Sequence, residues 1–142
     1  MTERGGGCLC GALRYSVRGA LRDVIVCHCV ECRRSSGGPW PATAARRSDL
    51  TVTGEVRWID SPRSASAARR GGCPICGALI FWDAPGREII SFGVGTLEDA
   101  TGLELAAHIY VGHAQGWERV CGDAAFPGGY PSSVAAPAWR AL

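Results

Sequence analysis

The sequence predicts a mainly β fold, and three observations carry that expectation. Short runs rich in Val, Ile, Tyr, Trp and Thr alternate apolar with polar residues, the period-two pattern of half-buried strands. Gly, Pro, Ser or Asp bound those runs where turns are needed. Twenty glycines and eight prolines in 142 residues leave few uninterrupted windows long enough for a helix.

The first strand candidate is ALRYSVR (12–18), closed by Gly19 and Ala20. DVIVCHC (23–29) follows, and CVECRRSS (29–36) is one of two segments able to form a helical turn, LEDA (97–100) being the other. A turn at residues 37–39 leads into WPATAA (40–45). DLTVT (49–53) and EVRWID (55–60) are separated by Gly54 alone, which predicts a tight hairpin. ALIFWD (78–83) and REIISFG (87–93) flank a turn at residues 84–86, and LELAAHIYV (103–111) is the last strand candidate. From Gly112 the pattern decays into a segment rich in Gly, Pro and small residues, expected to wrap the surface and end as a loose tail. Its aromatics, Trp117, Phe126, Tyr130 and Trp139, argue for order in the wrap. Trp40, Trp58 and Trp82 are most simply core.

A chain of 142 residues, 46% hydrophobic and 20% charged, has the size and composition of one globular domain spanning 1–142. A net charge of +2 is too mild for a nucleic-acid-binding surface. MTERGGG carries no apolar stretch of a secretory leader, and no apolar run approaches the roughly 20 residues of a membrane span, so a soluble, cytoplasmic protein is expected. In that compartment eight cysteines stay reduced, which favours metal binding or redox chemistry over disulfides.

Seven cysteines fall in three clusters: Cys8 and Cys10; Cys27, Cys29 and Cys32 within CHCVECRR; and Cys73 and Cys76. CLCGAL (8–13) and CPICGAL (73–79) share a glycine after the second cysteine and then an apolar strand. A glycine there permits positive φ and turns backbone N–H groups toward the sulfurs, as in a metal-binding knuckle. Two knuckles supply the four thiolates of a structural Zn²⁺. The middle trio then has three thiolates and no evident fourth, the ligand count of a catalytic zinc with one exchangeable position. Two other readings stand beside it: a closed site completed by Cys121, His108 or His113, and a metal-free redox thiol cluster. In an extended C-x-C, Cys27 and Cys29 share a face and His28 points away, so His28 is a poor ligand for the same ion. Arg33 and Arg34 are candidates to offset the negative charge of the thiolates or to orient a carboxylate.

With GGCLCGALRYSV (6–17), CHCVECRRSSG (27–37), CPICGALIFW (73–82) and HIYV (108–111) in hand, the sequence resembles the family of glutathione-dependent formaldehyde-activating enzymes and centromere protein V. That resemblance implies an Mss4-like fold of antiparallel β-sheets with a structural zinc on Cys8, Cys10, Cys73 and Cys76. It also implies an active-site zinc on Cys27, Cys29 and Cys32, and a carbon–sulfur lyase acting on an adduct of a small thiol and an aldehyde, such as S-hydroxymethylglutathione. A zinc-stabilised binding module without turnover and a thiol redox sensor are the alternatives from other classes.

Overall fold

A computed structural model describes residues 2–122 and 124–141. Twelve strands occur among them: β1 (Glu3–Gly7), β2 (Arg14–Arg18), β3 (Leu21–Arg22), β4 (Val24–Cys27), β5 (Trp40–Arg46), β6 (Leu50–Thr53), β7 (Arg57–Asp60), β8 (Arg69–Gly72), β9 (Leu79–Asp83), β10 (Ile89–Gly93), β11 (Leu105–Ile109) and β12 (Trp139–Arg140). A single α-helix among the described residues, α1 (Val30–Ser36), follows β4. The mainly β class and its antiparallel sheets agree with the sequence expectation; only β11 and β4 pair in parallel. All eight strand candidates are strands, and 29–36 forms the helix.

The strands form a small sheet ordered β1-β2-β6, a large one ordered β11-β4-β5-β10-β9-β8-β7, and a two-stranded pair β12-β3. Alternation on β2 turns Tyr15 and Val17 inward, with Leu13 just before them, against Ala45, Phe81, Ile90 and Phe92 of the large sheet. The Tyr15 ring lies 5.0 Å from that of Phe92 and 5.7 Å from that of Phe81, centroid to centroid. Its hydroxyl is satisfied by Thr96 Oγ1 at 2.7 Å, so the polar end of this core aromatic is not left unpaired.

Register assigns the other face of the large sheet. Cys27 pairs with Trp40 and Ile25 with Ala42, while Arg70, Trp82, Ser91 and Ala44 form one continuous cross-strand row. A register shift between Gly71 and Gly72, opposite Leu79–Phe81, carries one extra residue on β9. Ile80 and Phe81 therefore both enter the core, while Leu79 and Trp82 pack on the opposite side with Cys32, Trp40 and Ala42.

Two expectations require correction. Gly54 does not close a hairpin: β6 pairs with β2 and β7 with β8, so it marks a passage between sheets. Its φ of +98° and the carbonyl oxygen of Ala12, which a Cβ would strike, explain the glycine. LEDA is not helical; the turn of helix lies just before it, at Val94–Thr96, and Leu97 instead bridges to Gly6. The three tryptophans expected in the core are there, divided between its two faces: Trp58 packs against the main cluster, while Trp40 is buried in a second, smaller cluster with Cys32 and Ala42, against which Trp82 packs.

The segment from Gly112, expected to end loosely, returns to the body. Phe126 N donates to His108 O at 2.9 Å, and β12 pairs with β3. Arg140 then grips the buried Asp23 with three hydrogen bonds, Nε to Oδ1 at 3.0 Å and to Oδ2 at 3.1 Å, and Nη2 to Oδ2 at 2.7 Å. These bonds hold the Asp23 carboxyl below the usual range, against the opposing effect of burial. A depressed folded-state pKa contributes stability above the unfolded value of about 3.9, and the contribution is lost as pH falls through the folded value. Arg140→Met is expected to cost about 1–3 kcal/mol at pH 7, because it leaves a buried carboxylate short of donors. Urea denaturation at a series of pH values should show the difference from the parent chain shrinking below about pH 4.

Candidate metal and substrate site

The two similar knuckles meet. Cys8 and Cys10 lie between β1 and β2, Cys73 and Cys76 between β8 and β9, and their four sulfurs all fall within 4.8 Å of one another. Gly11 and Gly77 have φ of +83° and +76°, as the sequence comparison of the knuckles requires. Amide groups turn onto the sulfurs: Leu13 N donates to Cys8 Sγ at 3.2 Å, and Ile75 N and Cys76 N to Cys73 Sγ at 3.4 and 3.5 Å. The Cys8–Cys10 and Cys10–Cys73 sulfur separations are both 3.7 Å. A disulfide needs about 2.05 Å. A tetrahedron with metal–sulfur bonds of about 2.3 Å has edges of about 3.8 Å, so the donor set fits a zinc-sized, thiophilic ion.

The second group is Cys27, Cys29 and Cys32, again within 4.8 Å of one another, and among the described residues no fourth His, Cys, Asp or Glu joins it. Cys27 ends β4, Cys29 caps the N-terminus of α1 by accepting from Cys32 N at 3.3 Å, and Cys32 lies on the first turn. Gly37, with φ +86°, ends this helix through its N–H to Arg33 O at 2.8 Å. The strand end and the short helix thus bring three sulfurs to one corner. Hydrogen bonds from Cys27 and then Cys32 lower the Cys29 thiol far below its ordinary value, while the same contacts push Cys27 up. For Cys32, the Cys27 contact lowers the value, but Cys29 and burial outweigh it and push the thiol up to about 11.

The trio forms one wall of a cleft of about 720 Å³, whose floor is the outer face of the large sheet. Trp40 and Trp82 stand on that floor, and Tyr110, His113 and Tyr130 form the rim. Tyr110 is held at φ +54°, an uncommon conformation for a residue with a side chain, and its ring lies 5.8 Å from that of His113. Arg33 and Arg34 do not line the cleft; the cation beside the thiols is Arg70. Arg70 is buried, with Nε on Ser61 Oγ at 3.2 Å and Nη2 at 3.6 Å from Cys32 Sγ and 3.8 Å from Glu31 Oε2. Its Nη1 is buried with no partner among the described residues. No motif in RRGG announces this residue.

His28 points away from the trio, as the C-x-C alternation requires, into a buried polar chain. Nδ1 of His28 lies 2.9 Å from Glu118 Oε1, and Nε2 lies 2.8 Å from His108 Nδ1. Beyond it, His108 Nε2 accepts from Cys121 N at 3.4 Å, with Cys121 Sγ at 3.6 Å. His108 and Cys121 are thus occupied with each other, and His113 is on the rim, so none of the three completes the trio. Burial opposes the charge on Glu118, but the Gln115 amide and His28 hold its carboxyl below the usual range. An acidic partner 90 positions away gives no local signal in the sequence.

A family model described as glutathione-dependent formaldehyde-activating enzyme matches residues 3–113. No curated protein matches the chain. Among solved structures, a crystal structure of a Rhodobacter sphaeroides protein is similar, with 23% identity, a TM-score of 0.55, and coverage of 72% of this chain and 99% of its own. That likeness concerns the fold.

The polar chain behind the trio makes a prediction. Glu118→Ala leaves His28 Nδ1 and the Gln115 amide without their shared acceptor, and is expected to cost about 1–3 kcal/mol. Urea unfolding measures it, with the exposed neighbour variant Arg119→Ala expected to stay within about 0.5 kcal/mol of the parent.

Proposed function

The chain belongs to the glutathione-dependent formaldehyde-activating enzyme family, and from that premise we propose that it is a carbon–sulfur lyase which makes or breaks the adduct of a small thiol, such as glutathione, with an aldehyde. The observation that carries this reading is a three-thiol cluster without a fourth protein ligand, set in the wall of an open cleft. In the same reading the closed group of four cysteines holds a structural zinc, and the trio holds a second. Zinc on Cys27, Cys29 and Cys32 would supply an open coordination position that keeps a substrate sulfur deprotonated near neutral pH. Free cysteines throughout are consistent with a reducing, cytoplasmic setting.

The protein's own residues then have defined tasks. Trp40 and Trp82 give the substrate an apolar bed and exclude water from the sulfur. Arg70, fixed by Ser61 and Glu31, offsets part of the negative charge that three thiolates and an incoming fourth would accumulate. In the forward direction the substrate sulfur attacks the carbonyl carbon, the C–S bond forms, and the carbonyl oxygen takes a proton. His113 on the rim, held against Tyr110, is placed to deliver that proton and to remove it when the C–S bond breaks. No helix among the described residues is long and apolar enough to cross a membrane, and the reaction as drawn needs only small molecules.

Two measurements test the proposal. With cobalt in place of zinc, glutathione is expected to produce a saturable change in the thiolate-to-metal absorption; an unchanged spectrum at millimolar thiol contradicts it. By exchange NMR, the holoprotein should speed interconversion of formaldehyde and S-hydroxymethylglutathione, and His113→Ala should slow the catalysed part by about 10²-fold. A binding module predicts no acceleration, and a redox sensor predicts a disulfide within the trio on mild oxidation.

A further inference from the structure

The buried polar chain behind the trio has a second end, outside the cleft, and its hydrogen bonds run in one direction. The Cys121 amide donates to His108 Nε2 at 3.4 Å, so that nitrogen carries a lone pair and His108 bears its proton on Nδ1. From Nδ1 the proton points to His28 Nε2 at 2.8 Å, which leaves His28 Nδ1–H to donate to Glu118 Oε1 at 2.9 Å. Oε2 of Glu118 takes the Gln115 amide. His28, His108 and Glu118 are all buried, whereas Cys121 is exposed. The one poorly used atom is His108 Nε2. Its amide contact is long against the usual 2.9–3.0 Å or so, and the other atom within reach is Cys121 Sγ at 3.6 Å.

Cys121 also lines a cavity of about 150 Å³ with Leu105, Ala106, Ala107, Gly122 and Ala124, which shares no residue with the cleft. That volume equals about five waters of the liquid, and no charged side chain lines it. A thiol in the wall of a cavity, a base within reach of it, and further groups that orient the base are the parts of an activated nucleophile. Burial, then the charge of His28, holds His108 below the ordinary imidazole value, so it stands as a neutral base near pH 7. The thiol proton therefore passes to Nε2 as the sulfur attacks, not in advance.

We propose that Cys121 is a nucleophile, with His108 as its base, for small, weakly polar electrophiles that carry a carbon–carbon double bond conjugated to a carbonyl. The walls of the cavity set the reaction class. Attack on a disulfide or an alkyl halide expels an anion, and no cation lines the cavity to receive it. Addition to a conjugated double bond expels nothing. The C–S bond forms at the β-carbon, the π electron pair moves toward the α-carbon and the carbonyl, and His108 returns the thiol's proton to the α-carbon. His28 and Glu118 move no proton in this scheme; they hold the imidazole in the tautomer that offers Nε2 to the sulfur.

The test uses the full zinc-loaded chain, with initial rates of adduct formation at Cys121 read by peptide mass spectrometry. The reference is a synthetic peptide of residues 117–122, which has the same cysteine without the fold. At pH 7, N-ethylmaleimide is expected to modify Cys121 about 10-fold faster than the peptide; an advantage below about 5-fold overturns the proposal. His108→Gln should bring the rate down to that of the peptide, with zinc content and circular dichroism unchanged, and a folded variant that keeps the parent's rate removes His108 as the base. The parent reports the same proton transfer without a variant: its reaction should show a solvent deuterium isotope effect larger than the peptide's, and equal effects contradict the role of His108. The advantage over the peptide should also be greater for N-ethylmaleimide than for the more polar acrylamide. Equal advantages overturn the cavity as the element that selects the electrophile.

Discussion

Four cysteine sulfurs from two knuckles more than 60 residues apart meet within 4.8 Å, and the rest of the molecule is arranged around that meeting. One knuckle belongs to the small sheet and the other to the large sheet, so the cage joins the two sheets. The aromatic core of Tyr15, Phe81 and Phe92 begins immediately beneath it. Four thiols at this spacing repel one another once ionised, and only a bound cation makes the charged arrangement favourable. A structural zinc in such a cage contributes on the order of 10–16 kcal/mol in small peptides, comparable with the whole stability of a domain this size.

The cleft inherits its geometry from that clamp. β8 and β9 leave the second knuckle, and the extra residue on β9 decides which side chains face the core and which face out. Ile80 and Phe81 go in, and Trp82 goes out beside Arg70. On the far side of the sheet β4 ends in Cys27, and the chain turns at once into a helix of two turns carrying Cys32. The three-cysteine corner is thus a junction between a strand end and a helix start, stiffened from behind by His28 and Glu118. The same seven-stranded sheet presents core residues on one face and the cleft floor on the other.

Much of this was legible in the sequence, and the reasons for the rest are physical. Eight strands announced themselves through β-branched and aromatic residues at period two, and the paired knuckles through a repeated glycine. Strands β1 and β8, ERGGG and RRGG, carry no apolar signal because neighbouring rings occupy the space. A Cβ on Gly6 would run into Tyr15, and one on Gly71 into Trp58. Gly54 misled because hairpin rules assume that consecutive strands pair, whereas here they belong to different sheets. In the site, the cysteines were readable because local spacing encodes them. Arg70 and Glu118 were not, since each acquires its role only from pairings across 38 and 90 positions. Arg33 and Arg34 stood next to the cysteines in sequence, but the helix turns them away from the cleft.

The most direct measurement of the account is the fold of a chain that keeps only the four-cysteine cage. A variant with Cys27, Cys29 and Cys32 all changed to Ala should bind one equivalent of zinc and give the circular dichroism of a folded β protein. Withdrawal of that zinc by a strong chelator should then abolish the cooperative thermal transition, and added zinc should restore it. A variant that melts at the same temperature with and without the metal would contradict the claim that this cage holds the two sheets together.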